Sequence, residues 1–560
     1  MKIRWGAVLL MLSFCAASWA QQASLILVNG KVWTENSAQP VAQAVALDGN
    51  RIVAVGTDMA IRKLAAPSTK VIDLHGRLLL PGFNDAHVHL MDGGETLMAA
   101  QVLDTKSAEQ FRDGIAAFAK TLPPGTWIRN ALWDHQRWNP PALPNHQLID
   151  AACGDHPAMM WRTDGHMALV NALALKLAGI DRTTKDPPGG VIARDKDGNP
   201  TGILKDAATA LVTRVMPPLS EKEKDDAMYA AMREAASHGV TSVQNMADTP
   251  EDEQQPVQFR ELEKLDRAGK LTVRVYQSMN IRDWKTLADL GVTAPFGSPM
   301  LRIGNLKAFA DGALGSETAW MDEPFVDRPG YTGLSSADLA NPEKFYQEMQ
   351  QADKAGLQLT IHAIGDRANR TILDLDARLE KENGPADRRL RIEHAQHLHP
   401  ADYKRFAQLH VIASMQPYHA IDDGRWAEKE LGPERIRSSY AWKSLLDAGA
   451  TLAFGSDWPV APLDPVMGIY AAVTRRTLDG KNPGGWVPDQ RITVAQAVHA
   501  YTVGAAFAEH QETVKGSIEP GKLADLVVLS DDIFTIAPEA IEKTKVDLTV
   551  FDGRVIYERK

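Results

Sequence analysis

From Ser24 to Asp73 apolar and polar positions alternate in short runs, SLILVNGKVW, QAVALDGNRIVAVG and TKVIDLHGRLLLPGF, with Asn29-Gly30 and Asp48-Gly49 between them. A period of two interrupted by such dipeptides predicts hairpins. The far end repeats the pattern in GSIEPGKLADLVVL and VDLTVFDGRVIYERK, where Asp552-Gly553 is the turn. Both termini are therefore expected to build one small β-sandwich.

The interior changes period. Eight strand-like runs, GRLLLPGFNDAHVH, GVTSVQNM, LTVRVYQSMN, LRIGNLKAFAD, LQLTIHAIGD, RLRIEHAQ, HVIASMQPYH and ATLAFGSDWP, alternate with amphipathic helices such as EKEKDDAMYAAMREAASHG, which stops at a glycine. Eight β/α units in succession predict an α/β chain with a (β/α)8 TIM-type barrel, whose active site belongs at the C-terminal ends of the strands. Residues 93–220 break the pattern: Trp127, Trp133, Trp138 and Trp161, the run NPPALPNH and the turn-rich PPGGVIARDKDGNPTG fit no barrel unit. They read as an insertion after the first strand, placed to cover the mouth of the pocket. The expected organisation is a leader at 1–20, a first sandwich part at 21–80, a barrel at 81–512 carrying the insertion, and a second sandwich part at 513–560.

The leader rests on MKIRWGAVLLMLSFCAASWAQQ: Lys2 and Arg4, an apolar core too short to span a bilayer, and small residues before a cut after Ala20. It predicts export to the periplasm or beyond, without stable membrane insertion after cleavage. Phe14 beside Cys15 argues against lipidation. Cys153 is then the one remaining thiol, so no internal disulfide forms, and AACGDHP around it lacks a nucleophile–base pattern. A composition 44% hydrophobic and 24% charged is that of a globular protein, and a net charge of −10 without a basic tract excludes nucleic acid as a partner. A second copy of the chain is left open as a partner.

Candidate chemistry gathers at strand ends. His87 and His89 close the first strand, His362 the fifth, His394 the sixth and Asp457 the eighth. Four imidazoles and a carboxylate from four strands suit a divalent ion, zinc foremost, with one coordination position open to water. Neutral imidazoles leave the cation its charge, so bound water can ionise near pH 7, and Asp457 is placed to take its proton. Lys307, at the end of the fourth strand, should have a lowered pKa in such a setting, and its neutral amine can capture carbon dioxide as a carbamate bridging two ions. Otherwise one ion is expected, with Lys307 salt-bridged, for example to Asp311. His397 and His399 sit past the strand end and read as loop residues, and His75, before the first barrel strand, and His499, on a helix, read as structural.

With PGFNDAHVHL, LKAFADGALGSETA, IHAIGDRA, RIEHAQ, GSDWPV and EPGKLADLVVL in this order, the chain resembles the amidohydrolase superfamily, in the branch that includes N-substituted formamide deformylase. The resemblance runs from about residue 25 to the end. It implies the barrel of the metal-dependent hydrolase type with a β-sandwich from both termini, and hydrolysis of carbon–nitrogen bonds. It also implies that His87 and His89 hold a first metal with Asp457, that Lys307 is the carboxylated bridge, and that His362 and His394 hold a second. Lys205, in GILKDAA of the insertion, competes for the bridging role.

In the insertion, RTDGHMALVN resembles the branch's pocket wall, which makes His166 a candidate substrate contact beside Trp133, Asp311 and Gln416. Tryptophan-rich walls suggest a small amide or N-acyl compound with an apolar portion. A deaminase or cyclic-amide hydrolase on the same scaffold is the alternative chemistry, and a non-catalytic periplasmic binding protein the alternative class. The full ligand set, Asp457 included, weighs against the latter.

Overall fold

The computed structural model describes residues 22–247 and 255–560. The leader, with its cleavage and lipidation alternatives, lies outside the described residues.

All eight strand-like runs enter one parallel sheet, ordered consecutively. They are β1 (Phe83–Val88), β2 (Val240–Asn245), β3 (Arg274–Asn280), β4 (Leu301–Phe309), β5 (Gln358–Ala363), β6 (Arg391–His394), β7 (Ile412–Met415) and β8 (Thr451–Phe454). Just past β8 the ring closes on β1: the Asp457 N–H donates to the His87 carbonyl at 2.7 Å and the His89 N–H to the Trp458 carbonyl at 2.7 Å. Gly455 permits that approach, because a Cβ there would stand 2.5 Å from the His87 nitrogen. The strands are buried along almost their whole length, as expected where helices cover a parallel sheet. The helix Glu221–Ser237 begins with a capping box between Ser220 and Glu223 and turns Ala227, Met228, Ala231, Met232 and Ala235 inward.

The run GRLLLPGFNDAHVH is two strands. Leu78–Pro81 leaves the barrel at Gly82 and pairs antiparallel with Leu526–Leu529 from the C-terminal end. The six-stranded sheet so formed faces a four-stranded sheet built from Ala23–Val28, Ala44–Asp48, Arg51–Gly56 and Ala65–Asp73. Leu25, Leu27, Val45, Leu47, Leu79, Leu526, Val528 and Val550 fill the space between them, the sandwich from both termini.

Residues after the helix Leu90–Met98 form a five-stranded sheet, ordered Gly190–Arg194, Pro200–Asp206, Met167–Val170, Ala158–Trp161 and Ile128–Arg129. Strand alternation feeds a core on each face: Met160 and Leu169 join Phe111, Ile115, Trp133 and Cys153, whereas Met159, Ala168 and Val170 join Trp127, Leu175 and Leu204. Burial pushes the Cys153 thiol up to about 12, which makes it inert as a nucleophile.

Candidate metal centre

The C-terminal strand ends converge on a cavity of about 240 Å3 lined by His87, His89, Lys307, His362, His394 and Asp457 from the barrel, and by His166 from the insertion. His87 and His89 share one face of the chain, as residues two apart on a strand do, with ring centres 5.5 Å apart. Both lie against one oxygen of Asp457: His87 Nε2 is 3.3 Å and His89 Nε2 3.4 Å from Oδ1. The other oxygen, Oδ2, faces His419 Nε2 at 3.8 Å and His394 Nδ1 at 4.0 Å. One carboxylate thus divides four imidazoles into two pairs. The His394 ring stands 4.9 Å from that of His87 and 4.5 Å from that of His362, and Lys307, 1% exposed, holds its Nζ 4.9 Å from the centre of the Phe309 ring.

Among the described residues, His87, His394 and Asp457 offer ligand atoms all within 4.8 Å of one another. Burial, and after it the neighbouring Lys307 and imidazoles, holds His87, His362 and His394 well below the usual histidine range. They are neutral at neutral pH, the form that binds metal. His394 Nδ1 and His419 Nε2 are buried without a hydrogen-bond partner. Orphaned imidazole nitrogens around a carboxylate are what a divalent cation satisfies, so the donor set fits one. The backbone carries strain at the same point: His394, Ala395 and Asp457 have φ of 73°, 44° and 63°. The departure from extended geometry at His394 frees its side chain from strict alternation with Glu393.

Glu393 orients His87. Its Oε2 lies 2.6 Å from His87 Nδ1 and accepts from the Ser414 hydroxyl at 2.7 Å, while Arg391 pairs with its Oε1 at 2.8 Å. With Nδ1 held by a carboxylate, Nε2 is the His87 nitrogen available to an ion. Similarly, the His362 Nε2 lies 3.1 Å from the Gly312 carbonyl, which leaves its Nδ1 for the cavity.

Three candidate substrate contacts lie elsewhere. Trp133 is wholly buried in the insertion core, its Nε1 donating to the Met160 carbonyl at 2.8 Å. Asp311 lines a smaller neighbouring cavity with His166 and Asp206 and accepts the backbone N–H groups of Trp320, Ile364 and Gly365 at 2.7, 2.9 and 2.8 Å, its Oδ1 standing 3.5 Å from His362 Nε2, so it holds loops and backs His362. Burial raises it to about 7 against those donors. Gln416 is buried and donates to the Ser414 carbonyl at 3.3 Å; the residue of HVIASMQPYH that lines the cavity is His419. His166 does reach the cavity, and Trp161 and Trp426 supply its aromatic wall. Lys205 donates to the Ser316 carbonyl at 2.8 Å and is not a lining residue, and His397 is buried against the Ser439 hydroxyl at 2.8 Å. Sequence reasoning missed Glu393 and His419. His419 had a signal, since it ends the seventh strand-like run as His362 and His394 end theirs. Glu393 had none, because nothing in one sequence distinguishes a carboxylate behind a ligand from a surface one.

An eight-stranded barrel whose mouth gathers imidazoles around a carboxylate defines a metal-dependent hydrolase. A model of the amidohydrolase family matches residues 70–557, and the chain belongs to that family. It is 38% identical over 514 residues to Protein LONG AFTER FAR-RED 3 of Arabidopsis thaliana, covering 91% of this chain and 87% of that one. It is 28% identical over 557 residues to N-substituted formamide deformylase of Arthrobacter pascens, covering 96% and 99%. The crystal structure of an uncharacterized metal-dependent hydrolase from Pyrococcus horikoshii OT3 superposes with a TM-score of 0.74 at 26% identity, over 92% of this chain and 99% of that one.

Proposed function

We propose that the chain is an exported enzyme that hydrolyses the carbon–nitrogen bond of a small amide, N-formyl or N-acyl compound, with zinc as its metal. The observation that carries the reading is the meeting of His87, His394 and Asp457, whose ligand atoms all lie within 4.8 Å of one another. End-to-end similarity to N-substituted formamide deformylase supports the substrate class. His87, His89 and Asp457 would hold one ion, His362 and His394 a second, and the buried Lys307, carboxylated by carbon dioxide, would bridge them.

When bound, divalent cations acidify water to a pKa of about 7 and polarise a carbonyl. Asp457 accepts the proton of the attacking water and passes it to the leaving nitrogen as the carbon–nitrogen bond breaks. Glu393 keeps the His87 Nδ1 proton and so fixes the ligating tautomer. Trp161 and His166 of the insertion and Trp426 form walls of the cavity in which the substrate would lie.

The test is metal analysis of the purified mature chain with a panel of N-formyl, N-acyl, cyclic-amide and amino-heterocycle compounds. Turnover of formyl or acyl amides is expected, and turnover of the amino-heterocycles alone would make the enzyme a deaminase. Lys307→Ala is expected to hold fewer than two ions and to regain activity with small carboxylic acids. Unchanged stoichiometry in that variant refutes the bridge.

A further inference from the structure

Where the insertion meets the loop after β7, Arg137, Arg162 and Arg425 gather with Asp134, Asp164, Asp422 and Asp423. Arg162 sets Nη2 3.2 Å from Asp134 Oδ1 and Nη1 2.5 Å from Asp164 Oδ2. Arg425 pairs with Asp422 and stands 3.6 Å from Asp134 Oδ2, while Arg137 reaches Asp422 at 3.8 Å. Each arginine thus has its carboxylates, and three of the four aspartates have their cations. Asp423 differs. It lines the cavity, yet among the described residues no cation pairs with it: its Oδ2 accepts the Tyr440 hydroxyl at 2.5 Å, and Arg162 and Arg425 attract it only from beyond ion-pair reach. Tyr440 is wholly buried and its oxygen accepts from Gln396 Nε2, so the hydroxyl that holds Asp423 is itself anchored. Glu430, raised to about 9 by burial, is neutral and brings no further charge to this corner.

Asp423 also stands close to the candidate metal centre. It ends the helix Pro417–Asp423, four residues after His419, and residues four apart share a helix face with an axial rise of about 6 Å. His419 Nε2 faces Asp457 Oδ2 at 3.8 Å, and His419 and Asp423 line the same cavity. The carboxylate therefore lies about one helix turn beyond the edge of the centre, where the far end of a substituted amide would extend. A carboxylate drawn partly out of water without a cation is half of an ion pair. Burial lifts Asp423 to about 7 against the Tyr440 donor, and a cation arriving beside it favours the charged form.

We propose that Asp423 is the specificity-determining residue of a cation subsite, with Tyr440 and Gln396 as the residues that position it, so that the enzyme favours amides whose nitrogen substituent carries an ammonium group a few carbons away. The inference rests on the amide-hydrolase reading of the site.

The experiment compares N-(aminoalkyl)formamides, from aminoethyl to aminohexyl, with N-alkylformamides in which a methyl group replaces the ammonium, on the zinc-loaded enzyme at pH 8, by kcat/KM and by calorimetric binding. At the best chain length the wild type is expected to favour the ammonium compound over its neutral isostere by at least about tenfold, the worth of one charge-assisted hydrogen bond. The preference should peak within the series, because the carboxylate is fixed relative to the centre. Asp423→Asn keeps an oxygen for the Tyr440 hydroxyl but removes the charge, and should bring the ratio to about one or below, since the ammonium then loses water without gaining a partner. Asp423→Glu keeps the charge on a longer side chain and should retain the preference while moving the optimum to a shorter compound. Misfolding lowers both members of a pair together and leaves their ratio unmoved, so the ratio reads the subsite. Equal handling of a pair by the wild type at every length, a preference that does not vary with length, or the same ratio in Asp423→Asn and Asp423→Glu would each overturn the inference. If formamides are hydrolysed without regard to charge, the subsite fails and the hydrolytic reading stands. If none is hydrolysed yet the ammonium compounds bind more tightly with the same optimum, the hydrolytic reading fails and the subsite stands.

Discussion

At the N-terminal end of the barrel, Arg274 lays its guanidinium on Asp525, Nε to Oδ2 at 2.7 Å and Nη2 to Oδ1 at 3.0 Å, and reaches Asp552 at 2.9 Å. Beside it the Lys515 ammonium joins Glu509 at 2.7 Å and the Ser242 hydroxyl at 2.7 Å. At the C-terminal mouth the polar residues are as deeply buried, yet His394 and His419 keep nitrogens without partners and the backbone passes through left-handed φ at His394, Ala395 and Asp457. Charges of opposite sign close on each other at one end, and at the other neutral imidazoles are gathered round a carboxylate. The first arrangement is complete in the protein alone and ties the barrel to its sandwich. The second is complete only with a cation, and its strain is carried by the rest of the fold.

The comparison can be broken by exchanging the consequences of mutation at the two ends. The largest effect is expected for Asp457→Asn, which should lower kcat/KM on the order of 10^3-fold while the unfolding midpoint and most of the bound metal are retained. A fall in stability matching the fall in rate would erase the distinction. Arg274→Ala should do the reverse, destabilising the fold by about 3–5 kcal/mol because Asp525 is left buried and unpaired, with the folded fraction still loading metal. Denaturant titration beside metal analysis measures both.

A smaller change sharpens the picture at the mouth. Glu393→Gln should weaken metal affinity by about 10–100-fold, as expected when the group orienting a ligating histidine loses its charge, and competition with a chelator reads it directly. The smallest effect concerns His238, on the outside of the barrel. Burial pulls its pKa down, but Asp464 and Glu234 more than reverse this and raise it to about 9 from an ordinary 6.5. The proton bound in the folded state therefore stabilises fully below pH 6.5, and that stabilisation is lost as pH rises from 6.5 through about 9. Discounted for a side chain 30% exposed, it amounts to about 1–2 kcal/mol. His238→Gln should flatten the stability profile across that window without altering the pH dependence of metal binding.

Much of this was legible before any coordinates. The eight strands were, because a strand buried on both faces reads as a dense apolar run whatever its neighbours, and so was the pairing of the two termini, since both carry the same hairpin punctuation. That the histidines and the aspartate at the ends of β1, β5, β6 and β8 share one cavity could be foreseen because the barrel fixes where such ends point. Trp133 and Gln416 went astray for a common reason: in an insertion or beyond a strand end, periodicity does not tell a wall of the cavity from the core behind it. Asp311 failed differently, since a carboxylate serving three backbone N–H groups is indistinguishable in sequence from one serving a ligand.

The sequence by itself determined the barrel, the sandwich shared by the termini and the supply of imidazoles and carboxylate at strand ends, because each follows from local period, composition and order along the chain. Tertiary structure alone decided that Asp457 divides its oxygens between two pairs of imidazoles, that Glu393 stands behind His87, and that Asp134 of the insertion meets Arg425 of the barrel. Those relations join residues tens to hundreds of positions apart. Their geometry is set by ring closure and by the packing of the insertion, and a one-dimensional pattern carries neither.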